Sequence, residues 1–98
     1  MLDFLKELGI SEETINYINE NNDSNIIFDV DCNKYECVKI IEYLRGIGIK
    51  NIETLLINEL QIFYKDESRI KEIFDKYKNN LNEVVAAINE DYTIIERI

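Results

Sequence analysis

Apolar residues recur along most of the chain at the three- and four-residue spacing that is typical of amphipathic helices. The clearest stretch spans residues 66–78, and Asp66 is placed to cap its first turn. Its apolar face is formed by Ile70, Ile73, Phe74 and Tyr77. Residues 33–45 and 80–89 show the same periodicity. The pattern therefore predicts three long helices.

Shorter helices are predicted between these three. One covers residues 2–8, a second begins after Ser11, and a third begins at Asn51. Gly9 and Gly48 each follow a leucine-bearing helix at the position where a left-handed residue commonly ends a helix. We therefore expect each of these glycines to form a tight turn between paired helices.

Three fragments of the sequence resemble one another: residues 25–31, 60–66 and 92–98. Their central isoleucines, Ile27, Ile62 and Ile94, are separated by 35 and 32 residues. Self-similarity at such a period is typical of helical-repeat arrays. We predict a single all-α domain over residues 1–98, a short right-handed, solenoid-like array of about two and a half repeats. The predicted repeats are residues 2–38, 39–77 and, in part, 78–98.

The first fragment contains Ile26, Ile27 and Phe28, a composition that also suits a β-strand. Its counterpart at Ile62 and Phe63 lies between two predicted helices, where an isolated strand has no partner. We therefore expect a tight helical turn that inserts an Ile-Phe pair into the core. The polar residues 19–25 before it predict a loop, and Asp29 and Asp31 are expected to cap the helix that begins near residue 33.

Composition fits one folded domain with a marked excess of acids. The chain has 98 residues, 46% of them hydrophobic, and its formal charge is −9. The acids are unevenly placed, because residues 1–31 contain eight Asp and Glu and only one base, Lys6. This part of the chain repels phosphate and favours a basic partner.

The sequence shows neither a secretory signal nor an apolar run long enough to span a bilayer. We therefore expect a cytoplasmic protein that has no membrane partner. Cysteines are commonly reduced in the cytoplasm, and Cys32 and Cys37 have a spacing that places them on different faces of a helix. We expect Cys37 to fill the core and Cys32 to be an exposed thiol.

No cluster of residues indicates a reaction, a cofactor or a metal. The chain has no His, no glycine-rich phosphate loop and no Gly-x-Ser-x-Gly motif. Asp29, Asp31 and Asn33 begin like a calcium loop, but Lys34 and Ile40 occupy the positions that need Gly and Glu. We therefore predict a protein that is not an enzyme, with no catalytic, cofactor-binding or metal-binding residues.

The order of helix, Gly-Ile turn, helix and Ile-Phe fragment resembles the repeat of the mitochondrial transcription termination factor (mTERF) family. The first matching set is Leu5, Leu8, Gly9, Ile10, Ile15, Ile18, Ile27 and Phe28. The second is Leu44, Ile47, Gly48, Ile49, Leu55, Leu56, Ile62 and Phe63. The resemblance implies an all-helical superhelix that binds nucleic acid along a basic concave face. The residues that would contact phosphate are Lys65, Arg69, Lys71, Lys76 and Lys78.

Tyrosines beside acids indicate a different function, the binding of a basic protein. The predicted partner-binding residues are Glu12, Glu13, Tyr17, Glu20, Asp23, Tyr43 and Tyr64. Tyrosines that lie half-buried at the edge of the core are the alternative to such a surface. Three hypotheses follow: an acidic module that binds a basic protein, an mTERF-like nucleic-acid binder, and an acidic inhibitor that mimics nucleic acid.

Overall fold

Every regular element in the computed structural model, which describes residues 1–98, is a helix. The seven α-helices are α1 (Phe4–Glu7), α2 (Glu12–Asn21), α3 (Ser24–Cys32), α4 (Lys34–Gly46), α5 (Ile52–Asn58), α6 (Glu67–Asp75) and α7 (Leu81–Glu90). Two 3₁₀ helices span Leu60–Tyr64 and Tyr92–Arg97. The predicted all-α class is therefore confirmed, and the fold contains no strand.

Helices α1 and α4 end in the same glycine-dependent turn. Gly9 and Gly48 have φ angles of +80° and +107°, which a residue with a Cβ adopts only with strain. In each turn the residue after the glycine donates its N–H to the carbonyl five residues earlier, at 3.1 Å for Ile10 and 2.9 Å for Ile49. This bond satisfies a helix-terminal carbonyl that would otherwise lack a partner. The predicted role of both glycines is confirmed.

The helix starts differ in how their free N–H groups are satisfied. Ser11 caps α2 as predicted, since its Oγ accepts a hydrogen bond from the Thr14 N–H at 3.2 Å. Asp66 stands at the N-cap position of α6, but its side chain accepts no such bond. The Glu36 carboxylate of α4 instead accepts the Glu67 N–H at 3.0 Å. This helix start is therefore satisfied by a neighbouring helix.

The predicted loop over residues 19–25 is wrong. Helix α2 continues to Asn21 and α3 begins at Ser24, so the connection is only two residues long. The Asn21 and Asn22 amides donate to the carbonyls of Tyr17 and Ile18, each at 2.9 Å. These bonds satisfy terminal carbonyls of α2 and allow a polar segment to remain helical.

The fragment at residues 25–31 also differs from its prediction. It forms most of α3, an α-helix and not a tight turn, and Phe28 points outward with 58% of its surface exposed. Asp29 and Asp31 lie inside α3 and cannot cap α4; Asp31 accepts the Leu2 N–H at 3.2 Å instead. The second copy behaves as expected in part, because Phe63 is fully buried within the first 3₁₀ helix.

One hydrophobic cluster holds the helices together. It contains 21 buried residues, and all seven α-helices and the first 3₁₀ helix contribute to it. Cys37 is fully buried and Cys32 is exposed, as predicted. On α6, Ile70 and Phe74 are buried, whereas Ile73 is half-buried. The molecule measures 38 × 24 × 23 Å. None of its helices has the length and apolar character required to cross a membrane.

Candidate partner-binding surfaces

Helix α2 has one buried side and one acidic side. Thr14, Ile15 and Ile18 are buried, which turns the opposite side of the helix toward solvent. The α2 face, as we define it, consists of the exposed residues Glu12, Glu13, Tyr17 and Glu20; Asp23 lies beyond this helix and caps α3. It brings together four of the seven residues predicted to bind a partner.

Charge on the α2 face is almost uncompensated. Glu12 pairs with the Lys6 ammonium at 3.2 Å, and the other acids of the face form no salt bridge. Tyr17 is 48% exposed and stands between Glu13 and Glu20 on the helix surface. The face therefore offers carboxylates around an aromatic ring, an arrangement suited to Lys and Arg side chains.

Two further predicted residues, Tyr43 and Tyr64, lie apart from the α2 face on other elements. Tyr43 packs edge to face on Phe74 of α6, with 6.2 Å between the ring centroids. The Lys71 ammonium lies 5.7 Å from the centre of the Tyr43 ring. Burial, and next the charges of Asp75 and Glu67, raise the pKa of Tyr43. Tyr64 is also half-buried against the core, so both tyrosines occupy the core edge.

Two exposed aromatic residues were not among the predicted partner-binding residues. Phe28 was expected to be buried, and Tyr35, at 75% exposure, lies outside the apolar stripe of α4. Tyr35 lines a cavity of about 410 Å³ with Phe4 and Val38. The tyrosine's position beside Lys34 and Glu36 was the sequence signal for its exposure.

The predicted phosphate-contacting residues lie in three separate places in and around α6. Lys65, Arg69 and Lys76 line one groove of about 320 Å³, which we call the basic groove. None of the three forms a salt bridge. Lys71 lies elsewhere, paired with Glu67 at 3.5 Å, and Lys78 lines a separate cavity in the turn before α7. Three of the five predicted cations therefore lie on one surface.

Ile62, Ile70 and Ile73 form the apolar part of the basic groove, and Glu72 is its only acid. The groove continues into an adjoining cavity that shares Ile62 and Lys65 and is bounded by Glu59 and Glu96. Sequence patterning cannot predict this carboxyl pair, because Glu59 and Glu96 are 37 positions apart and come together only in the folded chain.

No group of three or more His, Cys, Asp or Glu side chains is arranged to hold a metal ion. Burial raises the pKa of the Cys37 thiol to about 12, which keeps this thiol protonated at neutral pH. The α2 face and the basic groove are thus the two charged surfaces that are candidates for binding a partner. No protein-family model matches the chain, and neither a curated protein nor a solved structure matches it.

Proposed function

We propose that the chain is a short helical-repeat array made of three helix triplets. The triplets are α1 to α3, then α4, α5 and the first 3₁₀ helix, then α6, α7 and the second 3₁₀ helix. Helices with the same place in successive triplets pack together: α2 with α5, α4 with α6, and α3 with the first 3₁₀ helix. Contact between equivalent neighbours is the arrangement by which repeat proteins build a continuous core.

Hydrogen bonds between successive triplets support this proposal. Arg45, at the end of α4, donates to the carbonyl of Leu8, at the end of α1, at 2.6 Å. Glu53 of α5 accepts hydrogen bonds from Ser11 and Thr14 at the start of α2. The predicted boundary at residue 38 falls inside α4, so we place the first boundary at Asn33. The right-handed sense of the array stays a prediction.

We propose that this array is a non-enzymatic module that binds a basic protein through the α2 face. The observation that carries the proposal is a surface of exposed acids around Tyr17 with a single ion pair, Lys6 to Glu12. Such a surface attracts a basic partner over several ångströms and gains affinity when the tyrosine is covered. The formal charge of −9 acts in the same direction.

Charge reversal on the α2 face tests this function. We expect the double variant Glu13→Lys and Glu20→Lys to lose basic proteins that the wild-type chain captures from its native cell. The matched control, Glu42→Lys and Glu83→Lys, makes the same charge change at exposed positions on α4 and α7. Equal loss in both variants contradicts the proposal, because binding then depends on net charge and not on the face. Displacement of the captured protein by DNA would favour the nucleic-acid-mimicking inhibitor instead.

Nucleic-acid binding is a second candidate, and the basic groove favours it. Three unpaired cations line one groove beside α6, and all three belong to the set that the mTERF resemblance implies. Three phosphate contacts predict a logarithmic salt slope of about −3 for duplex DNA. We expect the triple variant Lys65→Ala, Arg69→Ala and Lys76→Ala to abolish the mobility shift of the wild-type chain. The single variant Lys78→Ala should preserve it. A wild-type chain that shifts no DNA at about 50 mM salt removes this candidate.

A further inference from the structure

Glu59 is a buried acid with an unsatisfied oxygen. It lies between α5 and the first 3₁₀ helix, and only 3% of its surface is exposed. Its N–H donates to the Leu55 carbonyl at 2.7 Å, which fixes the backbone. One carboxyl oxygen, Oε2, accepts the Gln61 amide at 2.8 Å, whereas Oε1 has no hydrogen-bond donor. A buried carboxyl in this state is destabilising until a donor or a positive charge reaches it.

A second carboxyl, that of Glu96, lies beside it, and both residues line a cavity of about 340 Å³. Glu96 belongs to the second 3₁₀ helix, and its pKa is raised chiefly by a hydrogen bond with Glu59 and then by the charge of Glu59. Asp91 adds to this effect, while Arg97 opposes it. Neither Glu59 nor Glu96 forms a salt bridge. The only basic residue on the cavity wall is Lys65, which also forms none.

We propose that the Glu59 and Glu96 carboxyls form a pocket for one Lys or Arg side chain of a basic protein partner. Oε1 of Glu59 is itself buried, so the cationic head group enters beside Glu96, pairs with that exposed carboxyl and relieves the repulsion between the two carboxyls. The aliphatic stem packs on the remaining walls, Ile62, Ile73 and Ile95. This inference rests on the proposed function and adds to it an anchoring contact outside the α2 face.

The dimensions and ligands of the pocket favour a side chain over a metal ion. Calcium requires six to eight oxygen ligands, and two carboxyls supply too few. A proton shared between Glu59 and Glu96 also relieves the repulsion, but it leaves the three isoleucine walls of the cavity uncovered. A long cationic side chain fills the cavity and satisfies the carboxyls together.

Titration of the full chain with a capped hexa-arginine peptide tests the pocket, with affinity and the NMR signals of the Glu carboxyls as readouts. We expect Glu59→Gln and Glu96→Gln to weaken binding by about fivefold or more, and Glu83→Gln on exposed α7 by less than about twofold. The peptide should also lower the pKa of Glu96, which a purely structural role would not produce. Glu96 is exposed and is repelled by Glu59, so the unfolding midpoint of Glu96→Gln should not fall below that of the wild type.

The outcomes separate this inference from the proposed function. If Glu13→Gln with Glu20→Gln weakens binding and the pocket variants match Glu83→Gln, the α2 face stands and the pocket is overturned. If only the pocket variants weaken binding, the pocket stands and the α2 face fails. A wild-type chain that binds no peptide contradicts both. A rise in the pKa of Glu96 in Lys65→Ala without peptide would identify Lys65 as the resident cation and overturn the pocket.

Discussion

At the scale of single residues, Phe28 and Phe63 show how two similar fragments bury different side chains. Both follow an isoleucine in the repeated fragments, yet Phe63 is fully buried and Phe28 is exposed. The fragment around Phe28 is α-helical, with 3.6 residues per turn, whereas the fragment around Phe63 is a 3₁₀ helix with three. A different rotation per residue points the two rings in different directions. The sequence alone could not predict this difference, because the composition of both fragments permits either helix.

Truncation of the two rings should therefore have unequal effects on stability. We expect Phe63→Ala to lower the free energy of unfolding by about 3–5 kcal/mol, since it opens a cavity in the core. Phe28→Ala should change it by less than about 0.5 kcal/mol, because the ring already lies in water. Urea unfolding followed by circular dichroism measures both values. Similar losses in the two variants would contradict the outward orientation of Phe28.

Substitution of the three glycines by alanine should change stability by three different amounts. Gly48→Ala should destabilise most, because φ is +107° and the new Cβ would lie 3.3 Å from Val85. Gly9→Ala meets no neighbouring atom and should cost about 1 kcal/mol from its positive φ alone. Gly46→Ala, in open space at the end of α4, should stabilise by up to about 0.5 kcal/mol. Urea midpoints in any other order would contradict the two glycine turns.

At the scale of elements, periodicity predicted where helices lie better than where they end. The helix predicted over 80–89 matches α7, and that over 33–45 matches α4 within a residue. Helix α6 was predicted to reach residue 78 but ends at Asp75, followed by a turn in which the Tyr77 N–H bonds to Phe74 at 3.0 Å. Helix ends depend on partners such as Glu36, which supplies the cap of α6 from another helix. Such partners are distant in sequence and were not predictable.

Glu53 joins α2 to α5 and should make their packing depend on pH. Hydrogen bonds from Thr14 and then Ser11 lower the pKa of Glu53 in the folded state, with a smaller contribution from Arg45. A lowered pKa means that the stabilisation is present above the unfolded pKa of 4.5 and is lost as pH falls through the folded value. We expect Glu53→Gln to cost about 1 kcal/mol at pH 7. Denaturant unfolding between pH 7 and pH 3 measures this difference.

The difference between wild type and Glu53→Gln should shrink as the solution is acidified, because protonated Glu53 resembles glutamine in charge. A matched control is Glu42→Gln, an exposed acid on α4 that makes no hydrogen bond and no salt bridge. This control should show no comparable pH-dependent difference. A constant difference for Glu53→Gln at all pH values would show that the carboxylate charge is not what stabilises this contact.

At the scale of the whole molecule, the sequence predicted the acidic sign of the surface better than which residues lie together on it. Acids before residue 32 are mostly exposed, and four predicted residues share the α2 face. Tyr43 and Tyr64 lie elsewhere because their rings complete the core beside α6. Glu59 escaped prediction because an acid after a helix is commonly solvated. Its burial, and its position beside Glu96 of the second 3₁₀ helix, arise only in the tertiary structure.

The same excess of acids should give salt opposite effects on folding and on binding. Twenty acids oppose eleven bases, and only three salt bridges form, so screening should relieve more repulsion than attraction within the fold. We therefore expect the melting temperature to rise between about 20 mM and 0.5 M NaCl. The complex with a basic partner should weaken over the same range, because its attraction is screened.

The double variant Glu13→Lys and Glu20→Lys is a control for the expected rise of the melting temperature with salt. It moves the formal charge from −9 to −5 and removes repulsion among the acids of α2. Its melting temperature should therefore rise less with salt than that of the wild type, while Glu42→Lys with Glu83→Lys isolates the effect of net charge. If salt instead lowers the wild-type melting temperature, attractive pairs such as Lys71 with Glu67 outweigh the repulsion. The acids of the α2 face would then not be a source of net repulsion, and the proposed attraction of this face for a basic protein would lose its physical basis.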